Sequence, residues 1–438
     1  MLRPGVRRRE LFGWALYDFA NSGYTTVVLT AVFNAYFVGV VAGGASWGTF
    51  AWTLAIAASS LIVALISPLL GAWADRHGAR KQLLLLSTIG CVAATALLSM
   101  AGPGALVLAV VLVVFSNVCY CVGESVIASF LPDLAEPSAI GRVSGWGWGI
   151  GYFGGMLTLG LSLAWLLTAP SRQSTAADSV PTTMLITALV FALASLPSFA
   201  LLRERRRPTA QSIAAHIEHG SAGNGAWAAL VRSARSLDAY PDLRRLLVCM
   251  TSYQAGISVV IALAAVYAEQ QMGFGQTDTM MLVFAVNIAS AAGALGFGPL
   301  QDRIGHRRAL ALTLVGWVAM TMIAGLGSSR AHFWVAAVLA GLCIGSSQSC
   351  GRAMVGFMSP PNRIAEFFGL WSLAVRVAAI IGPITYGAVT WISGGNHRAA
   401  ILGTGVFFLL GLVLLKGVDV ARGRAVALEP DQAERAQA

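Results

Sequence analysis

Four ionisable side chains lie inside long apolar stretches of this sequence, and they are the residues best suited to chemistry. They are Asp18, Glu124, Arg352 and Arg376. An ionisable group placed in lipid is costly, so such residues usually face an internal cavity. In a cavity, carboxylate and guanidinium groups can bind a charged solute, exchange a proton or pair with one another. The four residues therefore predict a polar site inside an apolar protein.

Uncharged polar residues lie at helical spacing from these charges, on the same helical faces. They are Asn21 near Asp18, Tyr120 near Glu124, and Gln348 near Arg352. Asn287 lies in another apolar stretch and is a weaker candidate, since a lone amide in a membrane helix usually joins two helices. We expect these polar and charged residues to form the site for a solute and a coupling proton.

The charged residues have several possible roles. We expect Asp18 or Glu124 to exchange the proton, although Asp18 could instead have a structural role near the membrane interface. Arg376 lies about 18 Å into its span by the helical rise, and it either contacts substrate or forms a static ion pair. Glu124 and Arg352 occupy equivalent positions in the two halves of the chain. We expect them to pair as a gate when the cytoplasmic side closes; the alternative is that Arg352 pairs within its own half.

The composition indicates which elements must position these groups. Of 438 residues, 57% are hydrophobic and 11% are charged, whereas soluble domains carry about 25% charged residues. So few polar side chains exclude a soluble enzyme and a disordered scaffold. A membrane helix needs about 20 apolar residues. We predict an all-α polytopic membrane protein with twelve transmembrane helices, at 11–41, 49–74, 82–101, 104–131, 142–168, 181–202, 243–270, 277–301, 308–327, 332–358, 364–392 and 398–418.

The placement of positive charge predicts the orientation in the membrane. The formal net charge of +10 could, taken alone, indicate nucleic-acid binding. The basic residues instead cluster in alternate loops, at 3–9, 76–81, 203–207 and 303–308. This distribution is the bias of cytoplasmic loops in membrane proteins. We therefore expect no nucleic-acid partner, a location in the bacterial inner membrane, and both termini in the cytoplasm.

A polar stretch divides the predicted spans into two sets of six. It covers 203–242 and contains prolines and glycines that are typical of a linker. The predicted units are an N-terminal six-helix bundle at 1–202, a cytoplasmic linker at 203–242, a C-terminal six-helix bundle at 243–418 and a cytoplasmic tail at 419–438.

A short motif occurs once in each half, which indicates an internal repeat. One copy reads Gly71-Ala-Trp-Ala-Asp75-Arg76-His-Gly78-Ala-Arg80-Lys81, and the other reads Gly298-Pro-Leu-Gln-Asp302-Arg303-Ile-Gly305-His-Arg307-Arg308. An aspartate at the C-terminal end of a helix is unfavourable beside the helix dipole and needs a positive partner. We expect Asp75 to approach the start of span eleven near Arg363, and Asp302 the start of span five near Arg142. These contacts would act as cytoplasmic latches, while the arginines of the motif reach the lipid headgroups.

Glycines form a second repeated pattern. Gly145 in the first half corresponds to Gly369 in the second. Gly147, Gly151 and Gly155 recur at four-residue spacing, which suits close packing between membrane helices.

The repeated motif resembles the signature loop of the major facilitator superfamily, and the resemblance covers nearly the whole chain. More narrowly, the stretches at 14–22, 131–134, 141–148 and 366–370 resemble the vacuole-effluxer-like branch. Fungal members of that branch are associated with amino-acid export from the vacuole. The resemblance implies two pseudo-symmetric six-helix bundles, with helices four and ten opposite each other across a central cavity.

We expect a secondary transporter that moves a small polar solute, zwitterionic or anionic and amino-acid-like, by proton-coupled alternating access. A drug or toxic-compound exporter of the same fold and a non-transporting membrane sensor or scaffold are the alternatives. The sequence contains no HExxH, GxSxG or Walker motif, so we expect neither an enzyme nor a bound cofactor or metal. The expected partners are the solute, a proton or other coupling ion, and membrane lipid.

Overall fold

The computed structural model describes residues 1–168, 175–205, 231, 233–272 and 276–429. Twelve helices among these residues are long and apolar enough to cross a membrane. They are α1 (Arg8–Tyr24, continued to Val41 by other helical turns), α2 (Gly48–His77), α3 (Arg80–Leu97), α4 (Leu106–Ala128), α5 (Ile140–Leu167), α6 (Ala176–Leu201), α7 (Pro241–Met272), α8 (Gln276–Ile304), α9 (His306–Leu326), α10 (Arg330–Met358), α11 (Ile364–Ile392) and α12 (His397–Lys416).

These helices confirm the predicted fold class. Each predicted span overlaps one of them, because a chain can cross lipid only where its backbone groups are bonded internally and its side chains are apolar. Leu86, Val111 and Leu189 are among the large hydrophobic residues exposed on the outer surface. Most of the predicted linker at 203–242 lies outside the described residues.

The outer part of the first span departs from a regular α-helix. After Tyr24 the backbone forms a π-helix over Thr25–Ala31, a short α-helical turn over Phe33–Tyr36 and a second π-helix over Phe37–Val41. π-Helical turns are rare in proteins, and those that do occur are often found at functional sites. Hydropathy predicts the span but not its winding, so the sequence analysis missed this feature.

The six helices before the linker and the six after it form two bundles, which meet along two seams. One seam joins α2 to α11, and the other joins α5 to α8. Glycines permit the close approach: a Cβ atom on Gly71 would lie 2.2 Å from the carbonyl oxygen of Ala365, and one on Gly145 would lie 2.4 Å from that of Ala294. A Cβ atom on Gly369 would lie 2.5 Å from a backbone oxygen of α2. The corresponding glycines of the two halves, Gly145 and Gly369, thus lie one in each seam.

Helix α5 also uses glycines to pack against α1. A Cβ atom on Gly147 would lie 2.4 Å from a carboxylate oxygen of Asp18, and one on Gly151 would lie 3.2 Å from the carbonyl oxygen of the same residue. One on Gly155 would lie 2.8 Å from the hydroxyl of Thr26. The close packing predicted from the four-residue spacing is confirmed, and it brings α1 against α5 at the level of Asp18.

The basic loops lie together at one end of both bundles, which we call the basic end. It contains the α2–α3, α4–α5, α8–α9 and α10–α11 connections. A further helix, α13 (Val420–Leu428), lies there within the predicted tail. Arg422 donates to Asp242 of α7 at 2.6 Å, and Arg424 donates to the carbonyl oxygen of Phe357 on α10 at 2.8 Å. Helix α13 therefore fastens α7 to α10 within the C-terminal bundle.

Candidate functional site

A buried ion pair between the bundles joins Asp18 of α1 to Arg352 of α10. The guanidinium donates to a carboxylate oxygen of Asp18 at 2.7 Å, and the Asp18 and Arg352 side chains are 9% and 3% exposed. Arg352 also donates to the hydroxyl and carbonyl oxygens of Ser144 on α5, at 3.2 and 2.9 Å. Each nitrogen of the guanidinium therefore has an acceptor, and every acceptor belongs to the other bundle.

Two tryptophans and a glycine surround this pair. The Trp14 and Trp148 rings lie 4.7 and 5.3 Å from the guanidinium carbon of Arg352, and a cation gains stabilisation against an aromatic face when water is excluded. A Cβ atom on Gly147 would come within 2.5 Å of the Arg352 guanidinium. The pair is thus enclosed on several sides, with little space beside it for a solute.

A second ion pair crosses between the bundles, from Glu124 of α4 to Arg376 of α11. The nearest nitrogen and oxygen are 3.6 Å apart, and the Arg376 and Glu124 side chains are 17% and 20% exposed. This separation exceeds the usual hydrogen-bond range. The Nε atom of Arg376 is buried without a hydrogen-bond acceptor among the described residues. The second pair is therefore looser and more accessible than the first.

These two pairs correct the predicted gate between Glu124 and Arg352. Equivalent positions in a repeat give equal depth, but they do not fix the direction in which a side chain leaves its helix. Arg352 is directed toward α5 and α1, where Ser144 and Asp18 accept its hydrogen bonds. The predicted pairing is wrong for this conformation. The alternative, in which Arg352 pairs within its own half, is also wrong, because Asp18 belongs to the other half.

One face of α1 lies against α4, and Asn21 belongs to that face. Trp14 donates to the carbonyl oxygen of Ile127 at 2.8 Å, and Tyr24 stacks on Tyr120 with ring centroids 5.2 Å apart. Asn21 follows Trp14 by two helical turns and precedes Tyr24 by one, so it lies on the same face, near the level of Tyr120. Asn21 is 5% exposed, and neither of its amide atoms has a partner among the described residues. A buried amide of this kind is unusual in proteins and calls for an explanation.

The other two predicted polar residues have partners within the C-terminal bundle. Gln348 accepts a hydrogen bond from Gln254 at 2.7 Å, which joins α10 to α7. Asn287 donates to the carbonyl oxygen of Val283, one turn earlier in α8, at 2.9 Å. Neither contact brings these side chains to one of the two ion pairs.

Both aspartates of the repeated motif contact the opposite bundle. Asp75 accepts a hydrogen bond from the backbone N–H of Glu366, in the first turn of α11, at 2.9 Å. Asp302 accepts from the backbone N–H groups of Gly141 and Arg142, in the first turn of α5, at 2.9 and 3.0 Å. The two helix N-termini supply the partial positive charge that a carboxylate needs there. The predicted contacts are confirmed, and we call them the latches.

Two arginines lie near the latches, and one of them, Arg80, differs from expectation. Arg363 donates to the Glu366 carboxylate at 2.8 Å, so the backbone of α11, not this guanidinium, binds the latch aspartate. Arg80 is 2% exposed and donates to Asp133 at 2.7 Å. It therefore does not reach the lipid headgroups, because the buried carboxylate of Asp133, in the short helix Leu131–Leu134 that follows α4, accepts its hydrogen bond.

The remaining residues of the motif form turns or lie on the surface. Gly78 and Gly305 have φ angles of 60° and 90°, in the region that favours glycine. Lys81 donates to the carbonyl oxygen of Leu202 at 2.9 Å. The exposed arginines of the motif are Arg76, Arg303, Arg307 and Arg308. Their exposure fits long basic side chains at a membrane surface.

Comparison with known families adds a decisive observation. The model of the family described as vacuole effluxer Atg22 like matches residues 35–428. The chain belongs to this Atg22-like family. Among its relatives, the uncharacterised MFS-type transporter YxiO of Bacillus subtilis is 25% identical over 409 residues, which cover 92% of this chain and 93% of YxiO. Autophagy-related protein 22-1 of Penicillium rubens is 23% identical over 475 residues, which cover 90% of this chain and 78% of the fungal protein.

Solved structures confirm the fold of this Atg22-like protein. The proton:xylose symporter XylE, a member of the major facilitator superfamily, superposes with a TM-score of 0.72 at 13% identity and covers 98% of both chains. The human organic anion transporter MFSD10 superposes with a TM-score of 0.69 at 18% identity, covering 93% of this chain and 99% of its own. The family and the fold together identify a multi-pass transporter of the major facilitator superfamily.

Several residues that shape the site of this Atg22-like transporter were not predicted from the sequence. They are Trp14, Asp133, Ser144 and Trp148. Each lies within a stretch that resembles the vacuole-effluxer-like branch, so that signal was present. Ser144 and Trp148 also lie one turn apart on α5, so they share one face of that helix. The glycine pattern does not indicate that this face contacts Arg352.

Proposed function

We propose that this protein carries a small polar, amino-acid-like solute across the inner membrane by proton-coupled alternating access. The basic end faces the cytoplasm in this proposal, since cytoplasmic loops of membrane proteins are enriched in arginine and lysine. The cargo proposal follows from the family, whose description is that of a vacuole effluxer, and from the presence of both charge signs in the site. The proposed mechanism rests on the position of the hydrogen bonds and ion pairs between the two bundles.

The bonds between described residues of the two bundles gather toward the basic end. They include the two latches, the Asp18–Arg352 pair with Ser144, the bond from the Ser144 hydroxyl to the carbonyl oxygen of Ser349, and the Glu124–Arg376 pair. A transporter held together in this way is closed toward its basic end, so the solute would enter from the opposite side. Release at the basic end would require the latches and the ion pairs to separate.

Asp18 supports the proton-coupling part of the proposal. Its negative charge holds Arg352, and a proton on the carboxylate would remove that charge. Loss of one partner from a buried ion pair costs about 3–5 kcal/mol, which changes a conformational equilibrium by more than a hundredfold, at about 1.4 kcal/mol per tenfold. Proton binding would therefore favour separation at the basic end. Glu124 is the alternative proton acceptor, and its partner Arg376 would respond in the same way.

Counterflow tests the proposed function. Purified protein in proteoliposomes is preloaded with a mixture of unlabelled amino acids, and each labelled amino acid is added outside in turn. A carrier exchanges labelled for unlabelled solute, and an imposed proton gradient should then drive net accumulation. A sensor or scaffold gives no exchange, and exchange without any response to the proton gradient would refute the coupling.

A further inference from the structure

The two ion pairs between the bundles differ in how completely their hydrogen bonds are made. Arg352 has acceptors at all of its nitrogens, and its pair with Asp18 is short and buried. The Glu124–Arg376 pair is 3.6 Å long, and each side chain is about twice as exposed as Asp18 or more. The first pair is saturated, whereas the second can accept further partners.

Buried hydrogen-bonding groups without a partner lie on Arg376 itself and on the face of α1 that packs against α4. The Nε–H of Arg376 is buried and has no acceptor among the described residues, and both amide atoms of Asn21 are in the same condition. Tyr120 interacts with Glu124 and stacks on Tyr24, and the register of α1 on α4 brings Asn21 near the level of Tyr120. A buried polar atom without a partner normally carries a penalty in free energy. A ligand that satisfies these atoms would remove that penalty.

We propose that Glu124, Arg376 and Asn21 bind the charged head group of an α-amino acid. The ammonium group of the ligand lies against the Glu124 carboxylate, and the carboxylate of the ligand lies against the Arg376 guanidinium, including Nε. The Asn21 amide provides one donor and one acceptor for the same head group. The side chain of the amino acid then lies away from the ion pair.

Charge compensation makes this site selective for a zwitterion. When the ligand enters, Glu124 and Arg376 no longer pair with each other. Glu124 pairs with the ammonium group of the ligand and Arg376 with its carboxylate, so no charge is left without a partner. A simple carboxylic acid would satisfy Arg376 but leave Glu124 unpaired, and a simple amine would do the reverse. An unpaired charge in a low-dielectric site is unfavourable. Both analogues should therefore bind more weakly than the amino acid.

This inference rests on the proposed transport function, and binding measurements test it separately from transport. The twenty common L-amino acids are screened by thermal shift on the purified full-length protein, since a ligand that binds the native state raises its apparent stability. For each amino acid that stabilises the protein, calorimetry then compares three probes: the amino acid, the acid that lacks its ammonium group, and the amine that lacks its carboxylate. We expect each analogue to bind roughly 10- to 100-fold more weakly, the range for loss of a hydrogen bond to a charged group.

Variants of the pair give the sharper result. Glu124→Gln should remove the preference for the amino acid over its deaminated acid, whereas Arg376→Gln should remove the preference over its decarboxylated amine. A variant that merely folds poorly would lose affinity for every probe in the same proportion. The double variant Glu124→Gln/Arg376→Gln leaves no unpaired charge and should bind all three probes weakly. Arg422→Gln is the matched control, because it breaks an arginine–carboxylate pair that lies within one bundle.

The outcomes distinguish this inference from the proposed function. If an amino acid binds but Glu124→Gln keeps the full preference over the deaminated acid, the assignment of the ammonium to Glu124 is overturned. If no amino acid stabilises the protein while counterflow identifies another solute, the head-group site is wrong and the transport function stands. If counterflow fails for every solute in an intact preparation, the transport proposal fails, and the head-group inference fails with it.

Discussion

Asp18 and Glu124 are carboxylates on neighbouring helices, yet their surroundings differ. Asp18 holds a guanidinium that has no unused donor nitrogen, so whatever neutralises Asp18 acts on the contact between the bundles. Glu124 faces a guanidinium with an unused donor, so a ligand can bind there without first breaking a saturated network. The proposed roles of gate and binding site thus rest on hydrogen bonding, not on residue type.

Asp18→Asn should shift the protein toward a conformation that is open at the basic end. The amide keeps the shape of the side chain but removes its charge, so Arg352 loses about 3–5 kcal/mol of compensation. In a background without the six native cysteines, a cysteine at Ser349 should react faster with a membrane-impermeant maleimide supplied at the basic end. We expect an increase of at least about tenfold, with proton-driven accumulation lost and counterflow retained.

Asp242→Asn is the control for this experiment, because it removes a carboxylate from an ion pair within one bundle. It should leave the labelling of Ser349→Cys unchanged. Unchanged labelling and normal accumulation in Asp18→Asn would contradict the gating role of Asp18.

The sequence predicted which residues carry charge inside the membrane, but not how they pair. Asp18, Glu124, Arg352 and Arg376 stand out because few charged residues interrupt the apolar spans. Repeat symmetry then gave equal depth for Glu124 and Arg352. The observed partners depend on which way each helix is turned, and that is set by contacts such as Gly147 against Asp18 and Ser144 against Arg352. Such contacts between distant segments cannot be obtained from the periodicity of one segment.

At the scale of helices, the seams depend on residues that have no side chain. Backbone oxygens of one bundle occupy the space that a Cβ atom would take on Gly71, Gly145 or Gly369 in the other. If these contacts separate when the basic end opens, a bulkier residue at a seam should oppose closure specifically.

Gly369→Ala should destabilise the closed basic end. Its Cβ atom would lie 2.5 Å from the backbone oxygen of Ser67, and overpacking of this kind typically costs about 1–3 kcal/mol. The labelling of Ser349→Cys from the basic end should rise by roughly 5- to 100-fold, the change in an equilibrium that this energy corresponds to.

Gly296→Ala is the matched control for the glycine substitution. It adds the same methyl group to a membrane helix at a position with no neighbouring atom within 4 Å. Size-exclusion chromatography should show both variants folded. Equal labelling in the two variants would show that the α2–α11 seam does not control closure.

The helices and the latches were predictable for different reasons, and the π-helices were not predictable. Spans follow from hydropathy because lipid tolerates no unsatisfied backbone. The partners of Asp75 and Asp302 follow from the dipole rule, since only a helix N-terminus or a cation compensates a carboxylate at a helix C-terminus. The winding of Thr25–Ala31 changes neither hydropathy nor charge, so the sequence pattern carries no sign of it.

At the scale of the whole molecule, each seam has its own latch, and the two latches are related by the internal repeat. Asp75 fastens the α2–α11 seam and Asp302 fastens the α5–α8 seam. If the bundles move as rigid bodies, loosening one latch must loosen both seams.

Asp302→Asn tests this concerted motion. The amide weakens two charge-assisted hydrogen bonds to α5, each worth about 1.5–3 kcal/mol. A cysteine at Ser67, in the other seam, should then react at least about tenfold faster with maleimide supplied at the basic end. Asp238→Asn, which removes a charge from an exposed pair with Arg244, should have no effect. Faster labelling confined to the α5–α8 seam would indicate that the seams open independently.

The two ion pairs also determine how transport responds to a voltage. The formal charges of Asp18, Glu124, Arg352 and Arg376 sum to zero, so the empty protein moves little net charge through the electric field when it changes conformation. A single charge that crosses a potential of 100 mV gains or loses about 2.3 kcal/mol. A bound amino acid without net charge leaves the summed charge of the site at zero, whereas a bound proton raises it by one. The return of the empty protein should therefore be nearly independent of membrane potential, and the current should arise in the steps that carry the proton.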